Sequence, residues 1–147
     1  MRITYTAPIK LDLGCGAKKK EGYTGVDMVD FGQEIVFDVR NGIPVPDDSV
    51  EDLFSSHFVE HLEERDIFML FSEFLRICKD GAEIKIICPE ASTEEAYFDC
   101  HRSLWHEKRI RGICRGKEGI KEVDGYFEIV DFHTAGIEMI CTLKVIK

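Results

Sequence analysis

Two glycines and an aspartate near the start of the chain have the types and spacing of a small-molecule binding site. Gly14 and Gly16 close the apolar stretch IKLDLGCG, and a second apolar stretch ends at Asp27. Glycines in such a turn let the backbone approach a ligand that a β-carbon would exclude, and a carboxylate can accept hydrogen bonds from both hydroxyls of a ribose. A tight turn beside a solvated Asp27 explains the same residues, so this pattern alone leaves both interpretations open.

Three residues farther along offer proton chemistry. His57, Glu60 and His61 follow another apolar segment, and histidine titrates near neutral pH. We expect this group to supply a general base, with His57 as the first candidate. The local alternative is that Glu60 and His61 only begin and solvate the helix that follows.

Metal and thiol chemistry are not expected from the spacing of the cysteines and histidines. Cys100, His101, His106 and Cys114 are residue types that bind zinc, but they form neither a Cys-x-x-Cys motif nor a standard histidine pair. The sequence therefore predicts no metal site. Cys15 is interpreted as a small side chain in the glycine turn, since nothing near it in sequence favours a thiolate.

Predicted strands alternate along the chain with helical or loop segments, and these elements must position the candidate residues. Short segments rich in Val, Ile and Phe predict strands near residues 9–13, 23–27, 34–38, 51–55, 83–88, 126–132 and 137–145. Apolar residues at three- and four-residue steps predict a helix over 63–79, which Gly81 would end. The pattern predicts a single α/β domain over 1–147, a three-layer doubly wound sheet of about seven mostly parallel strands.

The composition of the chain argues against membrane-spanning, exported and nucleic-acid-binding proteins. The 147 residues include no window close to the length of a membrane span and no apparent export signal, so we expect a cytoplasmic protein with six reduced cysteines. A net charge of −9 argues against nucleic-acid binding. Residues 101–121 carry seven Lys and Arg against two Glu, which fits either a solvated helical face or a rim that attracts an anionic acceptor or partner.

Taken together, the motifs resemble those of class I S-adenosylmethionine-dependent methyltransferases, especially small proteins with a type 11 methyltransferase domain. The resemblance runs in order and spacing over residues 9–90, and it rests on the segments LDLGCG, GVDM, FDV, IPVPDDSVEDLFSSHFVEHL and FSEFLRICKDGAEIKIICPE. It implies a Rossmann-like sheet whose last strand is antiparallel, S-adenosylmethionine as cofactor, and methyl transfer as the reaction.

The resemblance also implies the roles of individual residues in the first glycine motif. Gly14, Cys15 and Gly16 would face the methionine portion of the cofactor. Asp12 would support the turn or reach the amino group of the methionine portion through water.

Later motifs are implied to hold the rest of the cofactor. Asp27 would bind the ribose, and Met28 would pack against the adenine. Asp38 would accept a hydrogen bond from the adenine amino group, while the backbone amide of Val39 meets a ring nitrogen. Backbone carbonyls at the end of the fourth strand often meet the methionine amino group in relatives, and the corresponding positions here are Ser55 and Ser56.

The chain departs from the family pattern in the first connection. Only six residues separate Gly16 from Tyr23, too few for the usual crossover helix, so we expect that helix to be shortened. Lys18 stands where many methyltransferases have a third glycine. Dinucleotide-dependent oxidoreductases prefer a Gly-x-Gly-x-x-Gly turn that opens a full helix toward a pyrophosphate, and Lys19 stands at their third glycine position. A nicotinamide enzyme is therefore disfavoured.

Residues 91–147 are expected to form the acceptor side and to close the sheet. His101, Arg102 and Trp105 would line an acceptor pocket, or Trp105 would instead seal the edge of the core. The predicted function is methyl transfer to a small-molecule acceptor or to one presented by a partner. The alternative is a non-catalytic S-adenosylmethionine-binding regulatory or scaffold protein, and a protein partner or homo-oligomer remains open in either case.

Overall fold

A computed structural model describes residues 8–115 and 125–147. Its regular elements are seven strands and two α-helices, with the bounds that follow: β1 Ile9–Leu13, β2 Thr24–Asp27, β3 Ile35–Val36, β4 Val50–Ser56, α1 Glu64–Ile77, β5 Cys78–Pro89, α2 Glu107–Cys114, β6 Tyr126–Ala135 and β7 Glu138–Ile146. Short 3₁₀ turns lie at Val39–Asn41, Val59–His61 and Glu94–Tyr97. No helix within these ranges is both long and apolar enough to cross a membrane.

The strands form one mixed sheet in the order β3-β2-β1-β4-β5-β7-β6. The first five strands pair in parallel, and β7 is antiparallel to both of its neighbours. The predicted α/β class, the strand number and the antiparallel last strand are confirmed. The predicted shortening of the first crossover is confirmed as well, since residues 14–23 contain turns and no helix.

Both described helices lie against the same face of the sheet. Phe71 of α1 contacts the ring of Trp105, which precedes α2, at a centroid distance of 6.1 Å, and the ring of Phe127 in β6 at 5.7 Å. Alternate residues of β5 and β7 point into this core, which is one continuous apolar cluster. The predicted three-layer arrangement needs correction, because one of its two helical layers is missing from the described residues. The connections between β1, β2, β3 and β4 hold only turns and one 3₁₀ turn.

Helix α1 follows its predicted position closely and ends two residues early. The residues of its apolar stripe are fully buried, as 3.6-residue periodicity requires. Gly81 has the positive φ of +82° that was expected at a helix end, yet it lies inside β5. The helix ends instead at Ile77, where the chain turns directly into the extended conformation of Cys78.

Trp105 anchors the segment between β5 and α2. Its side chain is completely buried, and its Nε1 donates a hydrogen bond to Ser103 Oγ at 3.0 Å. The Arg109 guanidinium lies over the ring, 5.3 Å from the centroid. Trp105 is therefore a core residue, which supports the second of the two interpretations that the sequence left open, a residue that seals the edge of the core.

Candidate functional site

The glycine turn after β1 ties the ends of the first two strands together. The amides of Gly14 and Cys15 both donate to the carbonyl of Val26, at 2.8 and 3.2 Å. The amide of Gly16 donates to Asp27 Oδ2 at 3.0 Å. Gly14 and Gly16 have φ of +67° and +57°, a conformation that costs L-residues more than glycine. The turn therefore holds Asp27 beside the glycines, as the sequence spacing predicts.

Gly14 is also required by packing. A β-carbon at Gly14 would lie 2.4 Å from ring atoms of Phe58, whereas a β-carbon at Gly16 would meet nothing within 4 Å. The close approach predicted for a ligand at the first glycine is thus made by the chain's own Phe58. Gly16 is the glycine that faces open space.

Four of the residues assigned to cofactor binding do not line the cavity at the carboxyl ends of the parallel strands. They are Asp12, Cys15, Ser55 and Ser56. Asp12 is buried, and its Oδ2 accepts from the Lys20 amide at 2.7 Å, so it holds the loop that follows the glycines. Burial and nearby carboxylates raise the pKa of the Cys15 thiol to about 11, which disfavours the thiolate. Ser55 is buried and Ser56 half-buried at the end of β4.

A cavity of about 590 Å³ opens at the carboxyl ends of the parallel strands, where ligands of open α/β sheets bind. Predicted site residues in its lining are Gly14, Gly16, Asp27, Met28, Asp38, Val39, His57 and His61. Other residues in the lining are Val29, Phe31, Phe37, Arg40, Phe58, Leu62, Glu63, Asp66 and Arg102. Of these, only Arg102 was singled out from the sequence.

An apolar wall lines one side of the cavity. Met28 is 61% exposed and Phe31 is 49% exposed, with Val29 and Phe37 beside them. Large apolar side chains that stay exposed around a cleft are typical of a surface that a ligand covers. The side chain of Asp27 lies next to this wall, with its Oδ1 accepting from the Val29 amide at 3.0 Å.

Asp38 and Val39 lie on the 3₁₀ turn that follows β3. The Arg40 guanidinium forms a bidentate pair with the Asp38 carboxylate, at 2.9 Å from Nε to Oδ1 and 2.6 Å from Nη2 to Oδ2. This pairing holds the pKa of Asp38 below its usual range. Because the carboxylate is already paired, it keeps only its remaining lone pairs for a ligand.

His57 has an uncommon backbone conformation directly after β4. Its φ is +54°, which a β-carbon disfavours and which is often found at functional sites. The backbone amide is held by a hydrogen bond to the Ile87 carbonyl at 2.8 Å. The ring Nε2 lies 2.6 Å from Glu138 Oε2, and Nδ1 lies 3.7 Å from Glu60 Oε1. His57 therefore sits between two carboxylates at the mouth of the cavity.

Glu138 is the partner of His57 that sequence reasoning missed. It lies at the start of β7, 81 residues from His57. Its position opposite Pro89 in the antiparallel pair places it beside the carboxyl end of β5. The sequence shows an acidic residue at the start of the predicted last strand, but this alone does not indicate that the residue pairs with His57.

Glu60 is buried deeply on the 3₁₀ turn after His57. Its exposed fraction is 2%, and neither carboxylate oxygen has a hydrogen-bond partner within the described residues. Its Oε1 lies 3.8 Å from His61 Nε2. Burial raises the pKa of the Glu60 carboxyl, and the neighbouring histidines oppose that shift. Glu60 was predicted as a candidate general base. It does not line the cavity, and its carboxylate instead lies near the rings of His57 and His61.

The segment between β5 and α2, expected to lie on the acceptor side, contributes to two neighbouring depressions. Arg102 lines the main cavity, while His101 lines a neighbouring depression. Two arginines of the predicted basic segment are paired, Arg109 with Glu64 and Arg111 with Glu107. Two of the five Lys and Arg side chains over residues 101–115 are thus paired with carboxylates, which leaves both interpretations of the basic segment open, and residues 116–121 lie outside the described residues.

Comparison with known proteins identifies the fold. No family model matches the chain, and no curated protein matches it. Among solved structures, an S-adenosylmethionine-dependent methyltransferase from Archaeoglobus fulgidus superposes with a TM-score of 0.70 at 18% identity, covering 94% of this chain and 86% of that one. A methyltransferase of the same cofactor dependence from Mesorhizobium loti gives 0.63 at 12% identity, covering 97% and 93%.

A third structure carries ligands. The 1,6-didemethyltoxoflavin-N1-methyltransferase of Burkholderia thailandensis, with bound 1,6-didemethyltoxoflavin and S-adenosylhomocysteine, gives a TM-score of 0.69 at 11% identity, covering 96% of this chain and 72% of that one. At these identities the likeness establishes the fold, which is the Rossmann-like fold of class I methyltransferases. The fold predicted from the sequence is thereby confirmed.

Proposed function

We propose that the protein is an S-adenosylmethionine-dependent methyltransferase acting on a small-molecule acceptor. The observation that carries the proposal is the convergence of Gly16, Asp27 and His57 on one cavity at the carboxyl ends of the parallel strands. The residues come from three separate strand ends, and their order matches the motifs of the resemblance described above.

The cavity fits an adenosyl group next to a reaction centre. Asp27 offers carboxylate lone pairs to a ribose, and the exposed wall of Met28 and Phe31 offers an apolar face to a purine. The glycine turn leaves open space at Gly16 for the amino-acid portion. S-adenosylmethionine supplies an electrophilic methyl group on a positively charged sulfur.

His57 is the base in this proposal. When the ring donates its Nε2 proton to Glu138, Nδ1 retains the lone pair that can accept a proton. Glu138 then acts as a positioning residue that fixes the orientation of the imidazole. Phe58 and Leu62 supply apolar surface beside it, which excludes water from the acceptor.

The structure supports this class over a dinucleotide-dependent oxidoreductase. A pyrophosphate is usually bound at the N-terminus of the helix that follows the glycine turn. Residues 14–23 contain no helix, so this chain presents no such dipole after β1. A nucleoside linked to an amino acid needs no phosphate site.

Isothermal titration calorimetry tests whether the protein binds S-adenosylmethionine. We expect S-adenosylmethionine and S-adenosylhomocysteine to bind and NAD to give no heat of binding. Asp27→Ala should weaken cofactor binding by about 10–100-fold, as expected for removing a hydrogen bond to a charged group. Asp30→Ala, in the same loop but outside the cavity lining, is the matched control. NAD binding in place of S-adenosylmethionine would overturn the proposal.

Turnover needs a separate measurement. Incubation with a panel of small acceptors bearing oxygen, nitrogen, carbon or sulfur nucleophiles should yield S-adenosylhomocysteine with at least one acceptor. Cofactor binding with no turnover across the panel would favour the alternative of a regulatory or scaffold protein.

A further inference from the structure

We propose that His61, Cys100 and His101 form a binding site for a zinc-type transition-metal ion. One ligand atom from each of these side chains lies within 4.8 Å of the other two. Cys100 and His61 are exposed and His101 is half-buried, so the cluster is open to an ion from solvent. The site goes beyond the proposed function and does not depend on it.

The donor set selects the class of metal. One thiolate and two imidazoles are the ligands that zinc and related transition metals prefer, whereas calcium and magnesium require oxygen ligands. Three protein ligands with bonds of about 2.0–2.3 Å are a common arrangement for zinc with one further position. The cluster therefore favours zinc over the hard divalent cations.

His61 is oriented as metal-binding histidines commonly are. Its Nδ1 lies 3.2 Å from the backbone carbonyl oxygen of Cys100. A ring N–H donated to a backbone carbonyl fixes the tautomer and leaves the opposite nitrogen, Nε2, with its lone pair. That nitrogen is available to a metal ion.

Two buried polar groups beside the cluster point independently to a bound cation. The Nδ1 atom of His101 is buried without a hydrogen-bond partner among the described residues. Glu60 is only 2% exposed, and its two carboxylate oxygens also have no hydrogen-bond partner among the described residues. Its Oε1 lies 3.8 Å from His61 Nε2. Burying a carboxylate without compensation is costly. A divalent ion at His61 would supply the missing countercharge.

The backbone already holds the two ligand-bearing segments together. The amides of Arg102 and Ser103 donate to the Glu60 carbonyl at 2.7 and 3.1 Å, and Ser103 Oγ donates to the Val59 carbonyl at 3.1 Å. The ligands thus lie on a fixed frame, as an effective metal site needs. A metal at this frame would clamp residues 100–103 onto the turn that carries His61.

The expectation of no metal site arose from spacing within one segment. Of the four residues considered there, His106 is engaged elsewhere, since its Nδ1 accepts from the Arg109 amide at the start of α2. Cys114 lies at the end of α2, beside Glu128 and Ile129 of β6. The third ligand comes instead from His61, which lies 39 residues before Cys100.

Metal titration of the purified, tag-free and reduced chain tests the site. Cobalt(II) should bind in about one equivalent and produce the thiolate-to-cobalt charge-transfer absorption, and zinc should displace it. Cys100→Ser should abolish that absorption, and Cys100→Ser and His101→Gln should each weaken zinc binding by at least the roughly 10–100-fold typical of losing an outer partner. Cys114→Ser and His133→Gln, which alter a cysteine and a histidine outside the cluster, should leave both readouts unchanged.

Three results would overturn the proposal. They are the absence of zinc or cobalt binding by the wild-type chain, unaltered binding by Cys100→Ser, and loss of binding in the Cys114→Ser control. Far-ultraviolet circular dichroism of each variant establishes that it is folded. Should His101→Gln fail to fold, Cys100→Ser decides the question, because Cys100 is exposed. None of these measurements uses S-adenosylmethionine, so their outcome is separate from that of the proposed function.

Discussion

The two halves of the cavity are built differently. The half at the ends of β1, β2 and β3 uses residues close in sequence, and its carboxylates are satisfied by nearby groups, such as Asp27 by the Gly16 amide and Asp38 by the Arg40 guanidinium. The half beyond β4 joins distant segments, as in the pair of His57 and Glu138. Behind this half, the two buried carboxylate oxygens of Glu60 have no hydrogen-bond partner in the part of the chain that the structure describes.

In the proposed function, the first half of the cavity binds the cofactor and the second half carries the residues of the reaction. Satisfied polar groups cost little free energy and hold the turn in one conformation. Strained backbone and unpartnered polar groups cost free energy, and they are concentrated at sites of chemistry or ligand binding. Substitutions in the first half should therefore change affinity or stability, while substitutions of His57 and Glu138 in the second half should change rate.

The largest expected effect is on turnover. Once an acceptor is known, His57→Ala should lower kcat by about 10²–10⁴-fold, the usual contribution of a general base, with cofactor affinity unchanged. Steady-state kinetics and calorimetry measure the two quantities. His133→Ala, which removes an exposed histidine paired with Asp131 on β6, should keep full activity. A fully active His57→Ala enzyme would rule out the base.

Stability should distinguish the two glycines of the turn. Gly14→Ala combines a disfavoured φ with a 2.4 Å approach to Phe58, so we expect a loss of about 3 kcal/mol in the free energy of unfolding. Gly16→Ala carries only the conformational cost of about 1–2 kcal/mol. Urea denaturation of both variants measures the difference. Equal losses would contradict the role given to Phe58.

A smaller effect is expected at the positioning residue. His57 and Glu138 are both partly exposed, so their pairing should contribute about 1 kcal/mol or less, and Glu138→Gln should lower kcat by no more than about fivefold. Its signature is the separation of kcat from KM, because an imidazole that loses its orientation slows the chemical step without weakening ground-state binding. A raised KM with unchanged kcat would mean that Glu138 only packs against the ring.

The smallest expected effect concerns Glu60 and pH. Because burial raises its folded-state pKa, the folded chain holds this proton at a pH where the unfolded chain has released it. Below the ordinary carboxyl pKa of about 4.3, Glu60→Gln and wild type should be equally stable. As pH rises through the folded-state value, wild type loses stability that the variant keeps.

The predicted gain at neutral pH is modest. In metal-free buffer we expect Glu60→Gln to be more stable by about 1 kcal/mol, or roughly 2–4 °C in Tm. Thermal denaturation at several pH values checks this. A constant difference between the two proteins at every pH would indicate a cause other than ionisation.

Features that depend on residues close together in the sequence could be predicted. The number of strands, helix α1 and the juxtaposition of Gly16 with Asp27 follow from periodicity and from parallel strands ending at one edge. Features that depend on tertiary packing escaped prediction. Trp105 was a candidate pocket residue until its ring was found against Phe71, and the partnership of His57 with Glu138 depends on the register of β5 and β7.

The burial of Trp105 provides an intrinsic optical probe. It is the single tryptophan in the chain, so the emission of the protein excited at the indole band reports on this position alone. Loosening of residues 100–106 from the sheet would expose the indole to water and shift its emission to longer wavelength, even while the strands stayed intact. Fluorescence and circular dichroism recorded together would therefore separate opening of the acceptor side from unfolding of the whole molecule.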